Sequence, residues 1–107
     1  MSVTVIDDPV LTRFRQRVIE AYGPKLERVV LFGSRVRGDH RPDSDYDIAV
    51  FIHAPQSFFN EAARLAQIAM DILHDTGEVV NPQHFPAGAY RQETGFMTEL
   101  RRDGIDL

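Results

Sequence analysis

The sequence predicts a small α/β domain, a mixed sheet of three or more strands with helices packed on one face and the opposite face left open as a cleft. Three observations carry that expectation. Two short, wholly apolar runs, Val29-Val30-Leu31-Phe32 and Ile48-Ala49-Val50-Phe51-Ile52, are bounded by turn formers and rich in β-branched or aromatic residues, the pattern of buried strands. Two longer segments, 9–22 and 54–75, repeat apolar residues at helical spacing. A chain of 107 residues can hold one domain with a modest core and has no room for a second, so a single domain over 1–107 is expected.

In chain order, Asp8-Pro9 is a helix start, with Asp8 as N-cap and proline at the first helical position. Val10, Phe14, Val18 and Tyr22 then form one apolar stripe, while Arg13, Arg15, Gln16, Arg17 and Glu20 face elsewhere, and Gly23-Pro24 ends the helix. The first strand follows. After the second strand, Ala54-Pro55 opens a long helix that Gly77 closes. Two apolar stripes run along it, Phe58, Ala62, Leu65, Ala69 and Ile72, and beside them Phe59, Ala63, Ala66, Met70 and Leu73. That arc is wider than one sheet contact needs, so the helix is either buried between sheet and neighbouring helix or keeps a patch for a partner protein. Glu78-Val79-Val80 is a third strand that Asn81-Pro82 stops, and a final helix runs from about Arg91 to Asp103 with Gly104 as its stop.

The stretch between the two apolar strands, residues 33–47, holds the chemistry. Gly33 allows a sharp turn without a Cβ, and Ser34 sets a hydroxyl beside backbone N–H groups at the start of a short helical turn, a corner that can cradle an anion. Asp45 and Asp47 stand two apart on an extended segment, so both carboxylates leave one face while Tyr46 leaves the other. Their Cβ atoms lie roughly 6–7 Å apart. Two like charges that close repel unless a cation joins them, and an all-oxygen donor set suits Mg2+ or Mn2+, which keeps waters and phosphate oxygens in its shell. A phosphate cradle beside a divalent-cation site is what a nucleoside triphosphate requires. Arg35 and Arg37 can contact phosphate or neutralise the acidic loop that holds Asp39 and Asp43.

Gly33-Ser34, then Arg35-Val36-Arg37-Gly38, then Ser44-Asp45-Tyr46-Asp47 resembles the signature of the DNA polymerase β-like nucleotidyltransferase superfamily, and the short length points to its minimal branch. The resemblance implies that Gly33 and Ser34 hold the β- and γ-phosphates, with Arg35, Arg37 and Ser44 in the same nucleotide-binding loop. It implies further that Asp45 and Asp47 bind one or two Mg2+ (or Mn2+) ions that align the α-phosphate of a nucleoside triphosphate, most simply ATP, for attack by a hydroxyl. Catalytically complete members carry a third carboxylate in the middle of the third strand. Glu78 is the only acid near, at that strand's start, and it can be either catalytic or an exposed strand-end glutamate. Larger relatives add a helical domain that binds the acceptor. In the minimal branch a separately encoded helical protein of the HEPN type fills that place, in pairs that look like toxin–antitoxin modules, where the nucleotidyltransferase adenylylates a tyrosine of the toxin or neutralises it by binding alone.

Composition sets the outer limits. A net charge of −4 and a pI near 5.5, with no basic stripe, argue against a long nucleic acid as the main partner, because that binding relies on clustered Lys and Arg. Cysteine is absent, so there is no disulfide framework or thiolate metal site, in keeping with a reducing cytoplasm. The N-terminus lacks the pattern of a signal peptide, and no apolar run is long enough to span a bilayer. His40, His53, His74 and His84 are scattered without metal-ligand spacing.

Overall fold

The computed structural model describes residues 8–38, 41 and 44–107; the first seven residues and Asp39, His40, Pro42 and Asp43, with the acidic-loop expectations placed on them, lie outside this set. Element order is α1 (Pro9–Tyr22), a 3-10 turn (Gly23–Lys25), β1 (Leu26–Phe32), α2 (Ser34–Arg37), β2 (Tyr46–Ile52), α3 (Phe58–Thr76), β3 (Val80–Pro86), a second 3-10 turn (Ala89–Arg91), α4 (Gly95–Asp103) and β4 (Ile105–Asp106). One four-stranded mixed sheet has the order β3-β2-β1-β4. β1 is antiparallel to both β2 and β4, and β2 is parallel to β3, with α3 as the crossover.

α1 forms where its caps predict. The Asp8 side chain accepts from the Val10 N–H at 2.8 Å, and the stripe of Val10, Phe14, Val18 and Tyr22 is buried. α3 starts three residues later than the Ala54-Pro55 signal, at Ser57, whose hydroxyl accepts from the Asn60 N–H, and it ends at Gly77 in the left-handed conformation. Ser57 satisfies an orphan amide that Pro55 cannot, and this decides the register.

The core is doubled. On one face Phe14 and Val18 of α1 and Leu65, Ile68 and Ile72 of α3 pack on Val29, Leu31, Ile48, Val50 and Ile52. On the other, Val30, Ala49 and Phe51 are covered by Ala89, Met97 and Leu100. The expectation of helices on one face therefore holds for α1 and α3, while α4 lies across the second face. The physical reason lies in the strands: Val29-Val30-Leu31 is apolar on both parities, so both faces must be buried, at about 1.5–3 kcal/mol for each large side chain. The Asp47 end of that second face stays open as a cleft.

β3 departs from expectation most. It runs through Asn81 and Pro82 to Pro86 instead of ending before them. Tyr46 N–H donates to the Val79 carbonyl, and Ala87 N–H to the Ile52 carbonyl, so odd-numbered residues of this strand turn their backbone groups to β2. By alternation Pro82 and Pro86 turn theirs outward. Their missing N–H groups fall on the sheet's open edge, the one place a strand tolerates proline. β4, a two-residue strand after Gly104, had no signal of its own; it pairs Ile105 with Leu31 and Asp106 with Val30.

Candidate functional site

Gly33 ends β1 and caps α2. Its φ of 83° is in the region glycine favours, and a Cβ built on it would stand 2.4 Å from Asp47 Oδ2. Glycine is thus required twice at this position, by the turn and by the carboxylate that packs against it from β2. The strand register sets the contact, since Phe32, the residue before Gly33, is paired with Asp47. In α2 the Val36 and Arg37 N–H groups donate to the Gly33 carbonyl as the first helical bonds, and the Ser34 N–H and hydroxyl stand ahead of them at the corner.

Gly33, Ser34, Arg37 and Asp47 line one cleft of about 460 Å3, within the range of small-ligand sites. Its remaining wall is Phe32 of β1, Val36 of α2, and Phe96, Glu99, Leu100 and Asp103 of α4. Asp45, one residue ahead of β2, is exposed. By the two-residue period it shares Asp47's side of the chain, and Tyr46 is buried on the other.

The other residues named from sequence are placed differently. Arg35 lies with its guanidinium 3.8 Å from the centroid of the Tyr46 ring and donates to the Ser44 carbonyl from Nε at 3.1 Å and Nη2 at 2.9 Å. Of the two roles open to it, these contacts are those of a brace on the loop's return to β2. Ser44 is the other half of the brace, its hydroxyl accepting from the Arg41 N–H at 2.8 Å. Glu78 precedes β3, and its Oε1 is 4.0 Å from Arg35 Nη2, on the Tyr46 side of the sheet. The structure brings it to Arg35, not to Asp47. The β3 residue in register with Asp47 is Asn81, whose Nδ2 donates to Asp47 Oδ1 at 3.3 Å.

Asn81 and the α4 wall were missed in the sequence. The signals existed: Asn81 has the parity of Val79 and Gln83, and Phe96, Glu99, Leu100 and Asp103 follow helical spacing. Both are obscured, the first because Asn81-Pro82 signals a strand stop, the second because Glu99 and Asp103 have the pattern of a solvated face. Asp103 is held below the usual carboxylate range, first by its hydrogen bond from Arg102, with the charges of Arg102 and Arg37 adding to it.

The donor set fits a hard divalent cation. Two carboxylates two residues apart, an all-oxygen pair, favour Mg2+ or Mn2+. Among the described residues no group of three or more His, Cys, Asp or Glu side chains could hold a metal ion. A cation here must complete its shell with water and ligand oxygens, as Mg2+ does beside phosphates. Among the described residues no helix is long and apolar enough to cross a membrane.

Comparison with known proteins agrees with this geometry. A family model described as polymerase beta, nucleotidyltransferase, matches residues 16–94, from within α1 to the N-cap of α4. A provisionally named protein adenylyltransferase of Methanocaldococcus jannaschii is 24% identical over 98 residues, covering 92% of this chain and 95% of its own. Among solved structures, a provisionally named nucleotidyltransferase from Sulfolobus solfataricus superposes with a TM-score of 0.63 at 20% identity, over 91% of this chain and 75% of that one. A tri-AMPylated HEPN toxin in complex with its MNT antitoxin, from Shewanella oneidensis, contains a chain that superposes with a TM-score of 0.53 at 17% identity, over 91% of this chain and 70% of that one.

Proposed function

The chain belongs to the polymerase beta nucleotidyltransferase family, and on that footing we propose that it transfers AMP from ATP, with Mg2+ or Mn2+, to a hydroxyl of a separately encoded HEPN-type helical protein, as the antitoxin of a toxin–antitoxin pair. The observation that carries the reading is the contact of Gly33 with Asp47, which sets a phosphate-binding corner directly against a carboxylate at the mouth of one cleft. The relative named as a protein adenylyltransferase and the AMPylated toxin in the Shewanella complex support the choice of AMP and of a protein acceptor.

In this reading the Ser34 N–H and hydroxyl receive the β- and γ-phosphates beside Gly33, and Arg37 lends positive charge to the same cleft. Asp45 and Asp47 would hold the cation, which supplies charge neutralisation at the phosphates and alignment of the α-phosphate. The acceptor oxygen forms a bond to the α-phosphorus as the bond from that phosphorus to the bridging oxygen breaks. Pyrophosphate leaves with the bonding pair, and the hydroxyl proton passes to a carboxylate oxygen of the Asp45/Asp47 pair. The protein's part is positioning and electrostatics, with no covalent intermediate.

A second reading, neutralisation of the partner by binding alone, is favoured by one feature. Phe58, Phe59 and Met70 of α3 are 78%, 79% and 59% exposed, more apolar surface than a lone domain of this size needs. One experiment separates the two. The chain is incubated with its co-expressed partner and ATP labelled at the α-phosphate. Label on the partner with wild type, and none with Asp45→Asn/Asp47→Asn, supports transfer; neutralisation that survives the double substitution without label supports binding alone.

A further inference from the structure

We propose that Asn81 is a positioning residue that limits this site to a single divalent cation. The inference rests on the reading above, that Asp45 and Asp47 hold a cation beside a triphosphate. Two cations about 3.5–4 Å apart, the spacing of two-metal phosphoryl-transfer sites, need carboxylates that bridge or flank both. Asp47 is bounded on both sides. Its Oδ2 packs against Gly33, where no Cβ intervenes, and its Oδ1 accepts from Asn81 Nδ2 at 3.3 Å. The parallel register of β2 and β3 fixes Asn81 there, pairing Asp47 with Asn81 and Ala49 with Gln83.

A second cation approaching Asp47 from the β3 side therefore meets the positive end of an amide N–H. If the amide turns over, it offers one neutral oxygen, which can ligate one ion but adds no charge to hold a pair. Among the described residues, no acid of the β3 side fills the gap. β3, Val80–Pro86, contains no carboxylate. Glu78 lies toward Arg35, on the Tyr46 side of the sheet. Glu99 and Asp103 come from the α4 wall of the cleft, and Asp103 is ion-paired with Arg102 at 3.0 Å. On the β3 side of Asp47, then, the described residues offer a neutral amide where a second cation would need a carboxylate. Asn81 thereby acts on Asp47 as an outer partner that orients the ligand, not as a ligand itself.

The test counts ions and does not depend on turnover. Wild type and Asn81→Asp are dialysed against Mn2+ and a nonhydrolysable ATP analogue, and bound Mn2+ is measured per bound analogue, with electron paramagnetic resonance on the same samples. Wild type should bind one Mn2+ per analogue with the spectrum of isolated ions, and Asn81→Asp should bind two with a spin-coupled spectrum. Asn81 is exposed, so the near-isosteric change should leave the thermal midpoint in place. Asn81→Ala should keep a ratio of one while weakening Mn2+ binding about tenfold, as loss of an outer partner does. Two coupled ions in wild type, or a ratio that stays at one in Asn81→Asp, would overturn the inference with the nucleotide site intact. Failure of wild type to bind the analogue at all would overturn both this inference and the nucleotide reading beneath it.

Discussion

At the scale of single residues, Gly33 and Asp47 are one unit. A side chain at position 33 must adopt a φ of 83° and displace the Asp47 carboxylate, which stands 2.4 Å from where its Cβ would be. Gly33→Ala should lower stability by about 1–3 kcal/mol, the range for strained backbone of this kind. It should also weaken MgATP binding by more than tenfold, because the carboxylate moves. Thermal melts and titration of one sample measure both, and an intact affinity would show that Asp47 is not in the site. The glycine, the serine and the paired aspartates were legible in the sequence because turn chemistry and the two-residue strand period are local rules. The braces were not. The place of Arg35 against the Tyr46 ring and the Ser44 carbonyl depended on where the loop returned to β2, which no local rule gives.

At the scale of elements, α1 is tied to its neighbours by two tyrosines. Tyr46 of β2 donates to the Asp8 N-cap carboxylate at 2.8 Å, and Tyr22 at the far end donates to the buried Glu61 of α3 at 2.9 Å. Burial, then the hydrogen bond to Asp8, then that carboxylate's charge, push the Tyr46 hydroxyl from its ordinary value of 10.0 up to about 12. Burial and Glu61 push Tyr22 in the same direction. Both groups hold their protons more tightly folded than unfolded. The stability they contribute is therefore complete below pH 10 and lost as pH rises from 10 towards 12 and beyond. The denaturant midpoint should fall over that range, and Tyr46→Phe should make the fall shallower; an unchanged slope in the variant would place the loss elsewhere. Burial pushes Glu61 up, but the Gln56 N–H and the Tyr22 hydroxyl outweigh it and leave the carboxyl below its ordinary value. α1, β1, β2 and α3 were legible because their apolar residues recur at helical spacing or fill a short run. β3 was not, because the rule that proline ends a strand fails at an edge whose outward side needs no N–H.

At the scale of the whole molecule, two apolar clusters bury both faces of the sheet and leave a cleft at the Asp47 end of the second. α4 closes the far end of that face over Ala49 and Phe51, and Asp47 faces the cleft at the near end. The alternation along β2 did foretell which face would carry the carboxylates, whereas the cover that α4 provides depends on contacts distant in sequence and left no local trace. The account's central claim is that this opening takes a triphosphate through a cation on Asp45 and Asp47. Isothermal titration of ATP into wild type and Asp45→Asn/Asp47→Asn, each with and without Mg2+, tests it most directly. The account predicts one ATP bound per wild-type chain only when Mg2+ is present, and no binding to a double variant that keeps its fold. Binding of equal strength in the variant, or none in wild type with Mg2+, would contradict it.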